Sequence, residues 1–251
     1  MSPRPIAVIQ KSSDLLQLLA TQGPLRSADI ADQIGMPRSS VYRLVDALNA
    51  AGLTTTQPDA RVKLGLRVLQ LAESAKASRT EWQSSQPLLN ALATQTGLTA
   101  YLSEPYGTDK VICVDWSPGS AMGILILRPG RTLPLHAGAA GRVTLAHSAG
   151  LHDYLSRAPF PRFTSRTLTT ARTLTKDAAQ TRGRGYVLSD EDVTDGIGAL
   201  GVPIIGASQG FLGALSVAGL AEDIRERQPE LLTVLTRASV KLGRSGPAAP
   251  S

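Results

Sequence analysis

Residues 26–52, RSADIADQIGMPRSSVYRLVDALNAAG, decide the fold of the N-terminal third of the chain. A helix is predicted to begin near Ser27, whose hydroxyl can cap the first free backbone amides. It should end at Gly35, because glycine tolerates the left-handed conformation that permits a sharp turn after a helix. Pro37 suits the first position of the next helix, and the apolar stripe of that helix comprises Val41, Leu44, Val45 and Leu48. Two short helices joined by a tight turn are typical of a helix-turn-helix.

The second helix of this motif carries a polar side that can read DNA. In a helix-turn-helix, the second helix enters the major groove with its N-terminal half leading. Arginine can donate two hydrogen bonds to guanine, serine can bond bases or phosphate, and free amides at the helix start favour phosphate oxygens. The alternative is a solvated helix face that carries two arginines. We predict DNA contacts at Ser27, Arg38, Ser39, Ser40, Tyr42 and Arg43.

A wing and a linker helix are predicted after the helix-turn-helix. Two short β-prone segments, 53–56 and 61–64, flank turn residues at 57–60. Arg61 and Lys63 share one face of their strand and are expected to contact backbone phosphates. The helix that follows Gly65 is expected to join the wing to the next domain and to pack on another subunit.

Composition and charge indicate a two-domain globular protein with an anionic partner. A chain of 251 residues can hold two domains, each with its own core. The formal charge of +6 favours an anionic partner. Residues 1–80 carry 10 Lys and Arg against 6 Asp and Glu, and the remaining residues carry 16 against 14. The smaller N-terminal segment is the more basic, so we expect this segment to bind nucleic acid.

Membrane spans, disulfides and metal sites are not expected. The longest apolar runs fall short of the roughly 18 residues that a spanning helix needs, and the N-terminus lacks the features of a signal peptide. We therefore expect a cytoplasmic protein. Cys113 is the single cysteine and is interpreted as a small strand residue, and the three histidines make no cluster with it at zinc-ligand spacing. We predict no metal and no cofactor.

The C-terminal two-thirds are predicted to form a mixed α/β domain with a largely antiparallel sheet. A helix around residues 82–92 precedes strand candidates at 99–104, 110–116, 123–127, 185–188, 199–205 and 211–218. A helix over 231–242 follows them. Both hairpins and helices join these strands, and this mixture favours the fold class.

Several stretches of the chain together carry a family resemblance. In the N-terminal third these are KSSDLLQLLA, ADIADQIGMPRSSVYRLVDAL and a wing ending in KLGLRVLQLAES. Later come PGRTLPLHAGAAGRVTLA and GYVLSDEDVTDGIGALGVPIIGASQGFLGALSVAGL. These stretches resemble the IclR family of bacterial transcription regulators over nearly the whole chain. Val62 departs from the family, which often has an aromatic residue there, so the packing of the wing is an open question.

The resemblance implies a fold and a division into domains. We expect an α/β two-domain protein with an N-terminal winged helix-turn-helix and a C-terminal GAF-like mixed α/β effector domain. The predicted DNA-binding domain spans 1–64 and the linker helix spans 65–80. The effector-binding and oligomerisation domain spans 81–243, and residues 244–251 are expected to be a disordered tail. The resemblance also supports the DNA contacts named above, including Arg61 and Lys63 on the wing.

A ligand pocket in the second domain is implied by the resemblance as well. Carried over position by position, its lining is Leu133, Ala139, Ala140, Ser189, Ala199, Ser216 and Ala218. Ser189 replaces an aspartate of some members and Ala199 replaces a cysteine, and both changes leave a less polar, roomier cavity. The alternative for the serines is an ordinary strand hydroxyl bonded to backbone. His136, just before the loop, is interpreted as structural.

Such a pocket suits a small, partly apolar ligand that is oriented by a few hydrogen bonds. Backbone amides at the start of the helix at Ala139 could hold a carboxylate or carbonyl oxygen without a basic side chain. Aromatic acids or their amide-like derivatives are therefore the first expectation for the ligand, and short oxo-acids are the second.

Three local motifs are set aside because of their context. Residues 196–201 match GxGxxG, but a dinucleotide site needs a strand before the motif and a helix after it, whereas here an acidic run precedes and a strand follows. Residues 206–210 match GxSxG, but a strand again follows, so Ser208 is interpreted as a turn residue. The acidic run 190–195 lacks regular ligand spacing and is interpreted as a solvated loop.

Together these features predict a DNA-binding transcriptional regulator whose operator affinity depends on a small molecule. We expect a homodimer or a dimer of dimers on a palindromic operator, acting as a repressor rather than an activator. An enzyme with an attached DNA-binding module is the main alternative, but no catalytic grouping survives its context, and the lining has almost no titratable group. A DNA-binding scaffold with a ligand-independent second domain is the third possibility.

Overall fold

The computed structural model describes residues 6–78, 82, 85–119, 127–207 and 210–245. The chain divides into two compact units, Met1–Arg79 and Thr80–Ser251, and each is described by itself. The functional boundaries at residues 64, 80 and 243 stay predictions. Among the described helices, none is both long enough and apolar enough to cross a membrane.

Within its described residues, the N-terminal unit is built from four helices and a small sheet. The helices are α1 (Ala7–Gln22), α2 (Ser27–Ile34), α3 (Arg38–Ala50) and α4 (Leu66–Ala77), and the strands are β1 (Leu25–Arg26), β2 (Thr54–Thr56) and β3 (Arg61–Leu64). The strands pair antiparallel in the order β1-β3-β2. One core joins α1, α2, α3 and β3, and Leu15, Ile30, Val41 and Val62 are fully buried in it. The winged helix-turn-helix is therefore confirmed, with Val62 as the core residue of the wing.

The turn between α2 and α3 depends on Gly35. Its φ of 63° and ψ of 48° are left-handed, and the amides of Gly35 and Met36 both donate to the carbonyl of Ala31. The predicted helix end is confirmed. The predicted cap is wrong, because Arg26 occupies the N-cap position without a side-chain cap and Ser27 is the first helical residue. The chain enters α2 directly from β1, whose pairing with β3 keeps Arg26 extended.

Helices α3 and α4 begin close to their predicted starts. Pro37 is the N-cap residue of α3 rather than its first helical residue. Helix α4 follows Gly65 and has no buried residue. Its Leu66, Leu69 and Leu71 expose 82%, 60% and 54% of their surface. Helix α4 therefore exposes large apolar side chains that the described residues do not cover.

The C-terminal unit contains one sheet in its described residues, with helices around it. Its helices are α5 (Ser85–Thr96), α6 (Ala139–His147), α7 (Leu151–Leu155), α8 (Ala171–Arg184), α9 (Ala221–Glu226) and α10 (Gln228–Ser245). Its strands are β4 (Thr99–Tyr106), β5 (Lys110–Ser117), β6 (Thr132–Pro134), β7 (Val187–Asp190), β8 (Ile197–Ile205) and β9 (Phe211–Leu220). They follow the order β6-β5-β4-β9-β8-β7, and every pair is antiparallel. The predicted mixed α/β fold is confirmed.

Each face of this sheet packs against its own helices. Successive strand residues point to opposite faces. On β8, Leu200, Val202 and Ile204 pack with residues of α5 and α10, whereas Ala199 packs with residues of α6 and α8. Helices α5 and α10 therefore cover one face, and α6 and α8 lie over the other.

Several observed elements, among them α7, α8 and α9, were not predicted, and others differ from the prediction in their bounds. The strand predicted at 123–127 falls outside the described residues except for Leu127, which is not in a strand. Strand β6 was not predicted, and β7 ends two residues later than expected. Helix α10 runs to Ser245, two residues into the predicted tail, because Leu242 remains buried at 1% exposure. Residues 246–251 lie outside the described part.

Both rejected glycine motifs lie at or within strands. Residues 197–201 of the GxGxxG match belong to β8 and not to a helix. The GxSxG match connects β8 to β9, which pair from Ile197 opposite Leu220 up to Ile205 opposite Phe211. The amide of Gly206 donates to the carbonyl of Gly210 at 2.8 Å, as in a hairpin connection. Ser208 itself lies outside the described residues.

Candidate functional site

The predicted DNA contacts lie on the surface of the N-terminal unit, with two exceptions. Arg38, Ser39, Tyr42 and Arg43 on α3 are exposed, as are Arg61 and Lys63 on β3. Ser40 is half-buried, and Ser27 is only 8% exposed at the start of α2. The burial of Val41, Leu44, Val45 and Leu48 turns the polar side of α3 outward.

The charges on this surface are largely unpaired. Arg61 lies 3.5 Å from Asp59, between its Nε and the carboxylate Oδ2, and both side chains are more than half exposed. Such an exposed pair contributes little stability. Within the described residues, Arg38, Arg43 and Lys63 form no ion pair, so their charges are available for phosphate or base edges.

A cavity of about 470 Å³, including the part open to solvent, lies between the sheet and α6 of the C-terminal unit. All seven predicted pocket residues line it: Leu133, Ala139, Ala140, Ser189, Ala199, Ser216 and Ala218. Sequence reasoning missed the other lining residues, which are Tyr101, Leu127, Gly138, Val193, Thr194, Ile197 and Gly198. Two of these, Val193 and Thr194, belong to the acidic loop between β7 and β8, which therefore forms a wall of the cavity.

The floor of the cavity follows from strand register. Ser189, Ala199 and Ala218 are direct neighbours across β7, β8 and β9, and Ser216 lies opposite Tyr101 of β4. Residues two apart on a strand share a face, so these side chains point to one side. Helix α6 approaches closely above them, and a Cβ placed on Gly201 would lie 3.0 Å from the Cβ of Ala139.

The cavity wall offers few polar groups. Ser216 is 4% exposed, and its hydroxyl has no hydrogen-bond partner among the described residues. Burial raises the pKa of Tyr101 to about 12, so its phenol stays protonated, and it is already bonded to Thr99 and to the backbone of Leu127. The amides of Ala139 and Ala140 in the first turn of α6 have no acceptor among the described residues. The arrangement suits a small ligand with a mostly apolar body.

Asp192 is buried, so the prediction of a solvated loop is wrong for this residue, whereas Thr194 and Asp195 of the same run are exposed. Asp192 is 2% exposed, and its Oδ2 accepts from the amide of Gly138 at 3.2 Å and from Nη1 of Arg142 at 3.0 Å. Its Oδ1 accepts from the Ser189 hydroxyl. The buried partners supply the hydrogen bonds that water supplies in a solvated loop. In the described part of the chain, no group of His, Cys, Asp and Glu has the arrangement of a metal site.

Arg142 holds this network together from α6. Its Nε donates to Asp177 Oδ2 at 2.9 Å, and Nη2 donates to Asp177 Oδ1 at 2.5 Å. Its Nη1 also donates to the carbonyl of Leu188 at 3.3 Å. Burial by itself lowers the pKa of Arg142, but the hydrogen bond and charge of Asp177, followed by those of Asp192, raise it above its usual value. The guanidinium therefore stays charged and ties α6 to α8 and the acidic loop.

His136 and Cys113 have the structural roles that were predicted. The ring of His136 contacts the hydroxyl of Tyr154 at 2.9 Å and the carbonyl of Pro161 at 3.0 Å, and it stacks on Phe160 with ring centroids 4.9 Å apart. His136 does not line the cavity. Cys113 is a free, buried residue of β5.

A winged helix-turn-helix joined to a unit with a mostly apolar cavity is the architecture of a DNA-binding transcriptional regulator with an effector domain. The chain belongs to the IclR family of bacterial transcriptional regulators. Residues 8–58 match the IclR helix-turn-helix domain, and residues 78–244 match the C-terminal domain of the bacterial transcriptional regulator IclR. The protein is therefore a regulator and not an enzyme.

Individual relatives agree with this family. The transcriptional regulator XynR of Escherichia coli K12 is 27% identical over 227 residues, which cover 89% of this chain and 90% of the relative. The transcriptional repressor IclR of the same strain is 26% identical over 219 residues, covering 82% and 77%. The solved structure of an IclR homolog from Microbacterium hydrocarbonoxydans, complexed with 4-hydroxybenzoate, has a TM-score of 0.81 at 21% identity and covers 95% of this chain and 98% of that one. That likeness concerns the fold.

Proposed function

We propose that this regulator is a repressor whose affinity for a palindromic operator is controlled by an aromatic acid or a related derivative bound in the cavity of the C-terminal unit. The observation that carries the proposal is the cavity itself, which combines an apolar wall, the unpartnered hydroxyl of Ser216 and the free amides at the start of α6. A carboxylate at a helix N-terminus is stabilised by the free amides and the helix dipole. The 4-hydroxybenzoate complex of the Microbacterium homolog supports an aromatic acid as the ligand class.

The DNA-binding part of the proposal rests on the exposed polar side of α3. Two recognition helices related by a two-fold axis would read two half-sites about one helical turn apart, or a multiple of it. The exposed leucines of α4 support self-association into a dimer or a dimer of dimers. The repressor assignment is supported by the relative that is named a transcriptional repressor. Since operator DNA is cytoplasmic in a bacterium, the protein acts there.

Ligand control requires that the ligand binds the two arrangements of the assembly unequally. Typical coupling free energies between two sites are about 1–3 kcal/mol. Helix α4 joins the operator-binding part of the chain to the effector-binding part. It is the element that transmits ligand binding in the cavity to the DNA-binding helices.

The test is a two-stage binding experiment on the full chain. The operator is first selected from the genomic DNA that surrounds the gene, and gel-shift titrations are then run with a panel of aromatic acids. We expect at least one acid to raise the melting temperature of the protein and to change operator affinity. Melting curves that stay flat for the whole panel would remove the ligand class and favour a ligand-independent second unit.

The role of Ser216 in the cavity is tested by Ser216→Ala. Loss of one hydrogen bond to the ligand, about 0.5–1.5 kcal/mol, should weaken the effector response while operator binding without ligand stays unchanged. Ser239→Ala is the matched control, because the Ser239 hydroxyl bonds the carbonyl of Thr236 on α10 and does not line the cavity. An unaltered dose response in Ser216→Ala would count against this position.

A further inference from the structure

The acidic loop between β7 and β8 carries a side chain that acts on the cavity without lining it. Asp192 is held by Gly138 and Arg142 on one carboxylate oxygen and by Ser189 on the other. Ser189 is itself a wall residue, and Gly138 is both a wall residue and the N-cap of α6. The carboxylate therefore controls two polar groups that a ligand would otherwise use.

The direction of the Ser189 hydrogen bond follows from the chemistry of its partner. An ionised carboxylate can only accept, so the hydroxyl of Ser189 must donate its single proton to Asp192. Arg142 lies 3.0 Å from Asp192 and is itself fixed by two hydrogen bonds to Asp177. Ser189 then presents lone pairs to the cavity, where it can accept a hydrogen bond but not donate one.

Asp192 also changes what the start of α6 can bind. Its carboxylate takes the amide of Gly138 and is paired with Arg142, while the amides of Ala139 and Ala140 stay free for the ligand carboxylate. An anionic ligand group next to Ser189 would be close to the Asp192 charge. A neutral O–H or N–H donor meets no such repulsion and is complementary to the Ser189 oxygen.

We infer that Asp192 is a positioning residue that holds Ser189 as a hydrogen-bond acceptor, and that the cavity thereby selects effectors with a hydroxyl or amine donor directed at Ser189. This inference rests on the proposed effector function and narrows its ligand class from aromatic acids to hydroxylated or amino-substituted ones. Such selection arises because a buried acceptor left without a donor is costly, so an analogue that lacks the donor is rejected.

The experiment uses pairs of ligands that differ in the donor and hardly in size. The 2-, 3- and 4-hydroxybenzoates and the corresponding fluorobenzoates are titrated into the full chain by calorimetry. We expect one hydroxybenzoate to bind at least about tenfold more tightly than its fluorinated partner. Ser189→Ala should reduce the ratio of the two affinities, hydroxybenzoate over fluorobenzoate, to about one. Ser189→Thr, which keeps the hydroxyl, should retain most of this ratio.

The positioning role is tested by Asp192→Asn alone and combined with Ser189→Ala. If Asp192 acts through Ser189, the single change lowers the ratio, and adding it to Ser189→Ala lowers the ratio no further. A merely structural role would weaken both members of each ligand pair equally and leave their ratio unchanged. Should Asp192→Asn fail to fold, Ser189→Ala still decides, because it leaves Asp192, Arg142 and Asp177 intact.

The outcomes separate this inference from the function on which it rests. Equal binding of hydroxylated and fluorinated partners by the wild-type chain overturns the inference and leaves the aromatic-acid proposal standing. A ratio that survives Ser189→Ala also overturns only the inference. Failure of every probe to bind overturns the ligand class and the inference together, while operator binding by the N-terminal unit is unaffected.

Discussion

Arg43 lies exposed on α3, one residue after Tyr42, and its guanidinium has no ion pair among the described residues. We predict that Arg43→Ala weakens operator binding by roughly 1–3 kcal/mol, or about 5- to 150-fold, because the bonds of a guanidinium to a base edge are lost. A gel-shift titration measures the effect. Arg172→Ala, an exposed arginine of α8, should bind operator normally. Unchanged affinity in Arg43→Ala would contradict its assignment to the recognition surface.

His136 makes the stability of the C-terminal unit depend on pH. The carbonyl of Pro161 can only accept, so Nε2 of His136 donates to it, and in the neutral ring Nδ1 accepts from the Tyr154 hydroxyl. Burial lowers the pKa of His136 below 6.5, against smaller raising effects of the Pro161 hydrogen bond and the Asp192 charge. The contribution of neutral His136 to the free energy of unfolding is thus fully present above pH 6.5. It decreases as the pH falls toward the pKa of His136 in the folded state.

This pH dependence is measured as melting temperature against pH for the wild type and His136→Gln. The wild type should lose melting temperature more steeply as the pH falls below 6.5, since glutamine does not titrate in this range. His147 and His152 are present in both proteins and cancel in the comparison. Parallel curves would contradict the buried, neutral state of His136.

Single residues of the cavity were predictable to different degrees. The position of Ser216 came from a family resemblance, which carries information about the fold that the local sequence lacks. Asp192 was misjudged, because an acidic run is usually solvated and because its partner Arg142 is 50 residues away in the chain. Nothing in the local pattern indicates that these two side chains meet inside the unit.

At the scale of elements, the end of α2 depends on a backbone conformation that only glycine adopts easily. Gly35→Ala should destabilise the N-terminal unit by about 1 kcal/mol, because its φ is left-handed, although a Cβ there meets no atom within 4 Å. Gly183 offers the opposite case inside α8, where a Cβ also meets nothing. Gly183→Ala should stabilise the C-terminal unit by roughly 0.5–1 kcal/mol.

Urea unfolding followed separately for each unit checks this pair of glycine substitutions. The two changes add the same methyl group in open space, so opposite signs isolate the backbone effect from packing. Equal effects of the two substitutions on the free energy of unfolding would contradict the assignment of the Gly35→Ala effect to its left-handed conformation.

Several long elements were predictable from their apolar pattern, whereas α8 and the shortest elements were not. The nearly continuous apolar runs of β8 and β9 and the helical spacing of α10 extend over enough residues to be recognised. Strand β6 has three residues and pairs only with β5, so its sequence carries no period. The cap of α2 was misplaced because a serine near a helix start resembles a cap, whereas the pairing of β1 with β3 decides where the helix begins.

At the scale of the whole molecule, α4 predicts self-association. Its leucines are exposed in the single chain, and their burial against a second copy would stabilise the assembly by mass action. We expect Leu69→Glu to shift the protein toward monomer in sedimentation equilibrium and to weaken operator binding. Gln70→Glu adds the same charge at an exposed polar position of α4 and should stay associated. A Leu69→Glu protein that keeps the wild-type mass would contradict a role of α4 in assembly.

The division into a basic N-terminal third and a mixed α/β remainder followed from charge and periodicity alone. The cavity could not be derived in this way, since it results from the register of β4, β7, β8 and β9 and from the placement of α6. Strand order is a long-range property, and apolar spacing is a local one. Only the resemblance linked Ala139 to Ser216 before the sheet was known.

The close approach of α6 to the sheet limits how this regulator can acquire a new specificity. A Cβ on Gly141 would lie 2.5 Å from the carbonyl oxygen of Pro134, and one on Gly201 would lie 3.0 Å from the Cβ of Ala139. These two glycines therefore allow α6 to approach the sheet closely, and a side chain at either position would require the helix or its neighbours to shift. Evolution or laboratory selection for another ligand should accordingly change the side chains of Val193 and Thr194 in the loop, while Gly141 and Gly201 stay invariant among the selected variants.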